Sequence, residues 1–169
     1  MDHNEYLKAA DYWKNHDKNS VKMSNNELIE VYNKFLDSHN TCALATGYDD
    51  FIRCTPIEYS WINGCLYMLS EGGIKFKCLG ENRNVGIAVF DTYKGFGKLS
   101  SIQIQGRAEI VDADLDEYSM VLKYKKIPEA VIKKLEHTMY LIKVIPESMD
   151  LLFSEFKEKG YGTRQHVDF

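Results

Sequence analysis

Only three prolines and eleven glycines occur among 169 residues, which excludes long linker or low-complexity tracts. No apolar run approaches the roughly 20 residues that a membrane-spanning helix needs. The first residues, MDHNEYLKAADYWKNHD, hold no apolar signal-peptide core, so a cytoplasmic location without a membrane role is expected. Basic charge is not in excess: 25 acidic side chains face 21 basic ones, for a formal net charge of -4. That balance argues against a nucleic-acid partner, although a local anion pocket stays possible. No C-x-x-C pair, no Cys/His cluster of zinc spacing and no His-x-x-x-His pattern occurs, so no metal site is expected. Cys42, Cys54 and Cys65 fall within apolar strands, where a reduced thiol acts as a small hydrophobe, and they are expected to be buried.

What is present reads as one domain, long enough to bury a core. Residues 1–38 carry helices. Tyr6, Ala9, Ala10 and Trp13 recur at helical spacing, and Ser24 with Glu27 makes a capping box ahead of Leu28, Val31, Tyr32, Phe35 and Leu36. Residues 39–112 carry strands: TCALAT, then an alternating run over 51–61, an Asn63-Gly64 turn of type I′, CLYMLS, GIAVFD and LSSIQIQGRAEIVD. Residues 113–137 return to helix, broken at Pro128. Residues 138–169 hold TMYLIKVIP as one strand, MDLLFSEF as another and a polar tail. About six strands in so short a chain favour an antiparallel barrel, because closure satisfies sheet edges. Pro56 has no N–H to give a ladder, so its strand is expected to lie at an edge, a bulge or a ligand.

The stretch from 51 to 91 carries the chemistry. A strand bearing Arg53 runs through the hairpin into a second strand, and Gly72-Gly73-Ile74-Lys75 then opens a short helix. Free N–H groups at such a start, with a Lys and a neighbouring Arg, suit a terminal phosphate. The Gly-x-x-x-x-Gly-Lys-Ser/Thr loop of nucleotide-binding proteins is absent, so this is a different device.

Arg53, the Asn63-Gly64 turn and the run Lys75-x-x-x-Leu79-x-Glu81-Asn82 together resemble the flavin-binding split barrels of the pyridoxamine 5′-phosphate oxidase family. The resemblance covers roughly residues 39–112. It implies a mainly β fold with flanking helices, an antiparallel split β-barrel, and FMN as cofactor. It also implies a homodimer with FMN at the interface and an oxidoreductase acting on a small molecule with NAD(P)H as a possible electron donor. The alternating strands around 53–60 and 99–106, which offer more surface than one small barrel buries, are expected in that interface. Carried over residue by residue, the flavin would meet Arg53, Cys54, Thr55 and Pro56 on one strand and Met68, Leu69 and Ser70 on the facing one. Lys75 would hold its phosphate, and Ser101 and Gln103 would reach it from a later strand.

Several positions depart from the family. Gly73-Ile74-Lys75 stands where Ser-Arg-Lys is frequent, which removes one cation. Ser101 stands where a Gln is frequent, five residues before Gly106, and Gln103 lies two residues on, facing the same side. Glu58 replaces a substrate-facing Lys. The Tyr, Arg and Ser cluster expected between 113 and 135 is missing, as is an Arg-Leu-x-Pro ending. A true pyridoxamine phosphate oxidase is therefore not expected. The other reading is a non-catalytic flavin- or haem-binding module for storage, sensing or electron transfer. His137 or His166 would then ligate haem, and Arg164-Gln165-His166 would either fold over the cofactor or form a solvated tail.

Overall fold

The structure, a computed structural model, describes residues 1–169. Helices α1 (His3–Ala10) and α2 (Tyr12–His16) precede α3 (Asn25–Ser38). The start of α3 follows from its capping box: Glu27 N–H donates to Ser24 Oγ at 3.4 Å, and Ser24 N–H donates to the Glu27 carboxylate at 2.8 Å. Four strands follow, β1 (Thr41–Tyr48), β2 (Phe51–Glu58), β3 (Ser60–Ile62) and β4 (Cys65–Ser70), and then α4 (Ile74–Glu81). Next come β5 (Asn84–Phe90), β6 (Ser100–Val111), α5 (Asp116–Tyr124), α6 (Glu129–Ile132), β7 (Tyr140–Phe153) and β8 (Arg164–Asp168).

All eight strands join one antiparallel sheet in the order β2-β1-β5-β6-β7-β4-β3, with β8 also paired to β7. β2 and β3 stand at opposite ends of that path, yet Tyr59 alone links them in the chain. The sheet must therefore curl until its two ends meet. This is an antiparallel split barrel, closed by the chain rather than by hydrogen bonds across the seam. Tyr59 fixes the seam through its N–H to Asn40 O at 2.8 Å and its hydroxyl to Leu36 O at 2.8 Å.

Leu44, Ile87, Ile104, Val144, Met149 and Met68 fill the barrel, and α3 plugs it with Leu28, Tyr32, Phe35 and Leu36. α5 covers the outside of β4 and β7 through Tyr118, Val121 and Leu122, packed against Tyr67 and Leu141. Asn63 and Gly64 take φ of 50° and 78°, the left-handed pair that a two-residue hairpin demands.

The alternation over 51–61 holds only to Glu58, because the chain leaves β1 there and joins β4 through β3. The two late strands are one. Pro146 and Glu147 sit at a bulge inside β7, where the register against β6 shifts between Gln105 and Gly106. A proline without an N–H reads as a stop in sequence, but a bulge absorbs it. Gly106 is required at that point, since a Cβ there would lie 2.5 Å from Ile145 O. The tail is no free terminus: Arg164–Asp168 adds an eighth strand to β7. No helix is long and apolar enough to cross a membrane.

Candidate functional site at the split

β2 bonds β1 on one side only, so of the edge, bulge or ligand expected at Pro56 the structure has the edge. Across the seam, β3 covers β4 only as far as Tyr67, leaving Met68, Leu69 and Ser70 beyond its end. In a two-residue hairpin the flanking pair, Ile62 and Cys65, exchanges both bonds. By alternation Tyr67 also bonds β3, and the N–H and C=O of Leu69 are turned toward the gap. The barrel is thus open between the free edge of β2 and the upper half of β4.

Two cations stand at this opening. Arg53 lies opposite Thr46 in register and Thr55 opposite the core residue Leu44, so both side chains take the interior side of β2. From β4 the chain turns through Gly72 and Gly73, at φ of 127° and 100°, values that disfavour any side chain. The turn brings α4 against β1 and β2 and folds Lys75 back, its ammonium donating to Gly72 O at 2.5 Å. Ser70 Oγ accepts the Gly72 N–H at 3.2 Å and firms the same turn. Gly73 supplies no side-chain cap to α4, so the first N–H groups of the helix are not taken by a capping side chain.

Lys75 is 8% exposed, and neither it nor Arg53 forms an ion pair with any carboxylate. Burial, and then the nearby Arg53 charge, lower the Lys75 pKa from its ordinary value. Two neighbouring cations without a counter-charge, beside an uncapped helix start, form a donor set that fits a phosphate. Thr46 Oγ1, on the strand position opposite Arg53, is buried without a hydrogen-bond partner.

The other residues singled out from sequence do not all gather here. Met68 is fully buried in the core, which leaves its backbone as the part that can meet a ligand. Leu69 packs toward the α5 cluster. Cys54 and Pro56 project from the opposite face of β2, in register with Ala45 and Ala43. Cys54 is exposed, contrary to the buried thiol expected for an apolar strand, because that face of the sheet is uncovered. Cys42, facing inward, is buried, and its thiol is pushed up to about 12 by that burial.

Ser101 and Gln103 lie on the same outer face as Cys54, around a shallow depression of about 500 Å³ floored by Ala43, Ala45, Gly86 and Ala88. They stand three strands from β2, about 14 Å at the usual strand spacing. A phosphate held by Lys75 and these two side chains therefore belong to different parts of one protomer's surface. Glu58 does not face the split either. Its carboxylate accepts from Lys125 at 2.8 Å, beyond the end of α5.

Sequence reading missed a charged cluster on the outer face. Gln103, Asp150 and His166 follow one another across β6, β7 and β8. His166 Nδ1 lies 2.8 Å from Asp150 Oδ1 and Nε2 lies 3.0 Å from Asp168 Oδ1. Alternation of Arg164, His166 and Asp168 was the only available signal, and without β8 as a strand it had no meaning.

A curled antiparallel sheet, split beside a basic helix start, defines the chain as a split-barrel protein. The chain belongs to the pyridoxamine 5′-phosphate oxidase family, whose model matches residues 28–149, and that family binds flavins. Solved structures share the fold. A FAD-binding protein from Mesorhizobium loti aligns with a TM-score of 0.58 at 19% identity, covering 78% of this chain and 95% of the other. The haem storage protein HutZ from Vibrio cholerae aligns at 0.58 and 16% identity, covering 70% and 89%. ChuZ from Campylobacter jejuni aligns at 0.66 and 16% identity, covering 87% and 61%. No curated protein matches the sequence.

Proposed function

We propose that this protein binds FMN at the split and works as an FMN-dependent oxidoreductase on a small molecule, as a homodimer. The carrying observation is the unpaired cation couple: Arg53 and Lys75 converge on one opening with no carboxylate to balance them. In this reading Lys75, Arg53 and the α4 start hold the phosphate. The free edges of β2 and of β4 around Leu69 offer backbone groups to the polar rim of the flavin ring. Ser101 and Gln103 would meet the cofactor from a second copy, because in one chain they stand three strands from β2. Cys54, on the face of β2 turned away from Arg53, would do the same. The flavin, when bound, supplies the hydride chemistry, and the protein supplies orientation and electrostatics.

Titration of FMN into the purified chain tests the site. Lys75→Ala and Arg53→Ala are each expected to weaken FMN by about 1.5–3 kcal/mol, the range of a charge-assisted hydrogen bond. Unchanged affinity in both variants would remove this site. Stopped-flow reduction of the bound flavin by NADH or NADPH separates an enzyme from a binding module.

Haem is the second reading, favoured by the fold shared with a haem storage protein. His166 supports it poorly, since an axial ligand needs a free ring nitrogen and both of its nitrogens already meet carboxylates. His137 keeps a looser contact, 3.4 Å from Glu71 beside the Gly72 turn. The visible spectrum of the purified protein distinguishes flavin from haem.

Pyridoxamine phosphate is not the expected substrate. The residues from 113 to 135 contribute α5 and α6 without the Tyr, Arg and Ser cluster. Glu58, turned to Lys125 and away from the split, adds nothing to that argument. The FMN-loaded protein should form no pyridoxal phosphate from the phosphorylated amine or alcohol. Sustained turnover in that assay would place a second phosphate pocket where none has been identified.

A further inference from the structure

Helices α1 and α2 form without packing any residue of their own into the core. No residue of α1 or α2 is buried, and Tyr6, Leu7, Tyr12 and Trp13 are 62%, 51%, 56% and 46% exposed. Helices of eight and five residues are too short to persist alone in water, and an Asp2/Glu5 capping box fixes only one end. The arm nonetheless has a fixed root. The Arg164 guanidinium stacks 3.5 Å from the Trp13 ring centroid and reaches Asp17 Oδ2 at 3.7 Å.

Arg164 is also part of the sheet's outer face. It pairs with Leu152 on β7, which pairs with Ser101 on β6, which pairs with Phe90 on β5. The arm therefore rises from the same face that carries the shallow alanine-floored depression, at its β8 end. At the opposite end, on β2, Ile52 is 79% exposed. One chain thus presents an uncovered amphipathic arm and an uncovered, small-residue sheet face side by side.

We propose that α1 and α2 form an arm that packs on a second copy of this chain, extending the contact made by the outer sheet face. Closed two-fold pairing joins a surface to itself, so an arm rooted at the β8 end of that face, on Arg164, is carried against the other copy. Charge disfavours the other occupants: residues 1–19 carry Asp2, Glu5, Asp11 and Asp17 against Lys8, Lys14 and Lys18. A near-neutral arm of that kind has no pull on a phosphate backbone or an anionic lipid surface. The inference rests on the homodimer reading above and adds the residues that hold it.

The test uses the full-length chain loaded with FMN. The double variant Tyr6→Asp/Leu7→Asp changes only exposed positions and should keep the wild-type circular dichroism. Sedimentation equilibrium should show its dimer dissociation constant raised at least tenfold, with FMN affinity unchanged at protein concentrations that keep it dimeric. Amide exchange of residues 3–16 in the wild type should speed up on dilution, in step with dissociation. An unchanged dissociation constant, or arm exchange indifferent to dilution of a dissociating wild type, would overturn the arm and leave the dimer standing. A wild type that is monomeric throughout would overturn both, while the FMN titration still judges the cation site.

Discussion

At the scale of single residues, the proposed function rests on a side chain kept in an unfavourable place. Lys75 is almost wholly buried, has no carboxylate, and faces a second cation. A buried charge without a partner lowers stability, and its persistence here makes sense if an anion completes it. Lys75→Met keeps the bulk of the stem and removes the charge. In the absence of flavin this variant should unfold at a higher urea midpoint, by on the order of 1 kcal/mol. Added FMN should then raise its melting temperature far less than it raises that of the wild type. A lower midpoint in the apo protein would mean that the ammonium's bond to Gly72 O, by holding the turn, outweighs its desolvation.

At the scale of elements, β8 depends on the state of one imidazole. A neutral ring has one N–H, yet both nitrogens of His166 lie against carboxylates, one on β7 and one on β8 itself. Those hydrogen bonds, led by Asp150, raise its pKa above the usual 6.5. The folded value is raised, so the clamp's contribution is fully present below pH 6.5 and is lost as pH rises through the folded pKa. The side chain is about half exposed (51%), so screening keeps the effect modest. Arg164 on the same strand is engaged by Trp13 and Asp17. An NMR titration should show His166 losing its proton above pH 6.5, with β8 amides exchanging faster beyond intrinsic base catalysis once it has done so. Asp150→Asn should move that midpoint down.

Elements also show how far the sequence could be read. The capping box of α3, the Asn63-Gly64 turn, the break in pairing at Pro56 and the approach of Arg53 to Lys75 all depend on residues near in sequence, and each is legible there. What was hidden depends on partners. The bulge at Pro146 and Glu147 hid a 14-residue strand because a proline alone reads as an end. β8 hid because one of its faces is solvated, so its residues look like a polar tail. The placement of Cys54 and Gln103 on a face away from Lys75 depends on which strands neighbour one another, and alternation within a strand says nothing about that.

For the whole molecule, the proposed function would make flavin binding and association one equilibrium. Arg53, Lys75 and the free edge of β4 lie at the split, while Ser101 and Gln103 lie about 14 Å across the outer face from β2. If FMN is gripped by both sets, as proposed, no single copy holds the complete site. Linkage then requires that flavin strengthen the dimer by the factor by which dimerisation strengthens flavin binding, once for each of its two sites. Serial dilution of the FMN-loaded protein, followed by flavin fluorescence and by sedimentation, should release cofactor and separate protomers over one concentration range. Excess FMN should shift both transitions to lower protein concentration. Gln103→Ala should weaken flavin binding in the dimer while leaving the weak, phosphate-based affinity of the separated protomer as it was. Flavin retained unchanged by a fully dissociated protomer would show that the split alone suffices, and would return Ser101 and Gln103 to the role of surface residues.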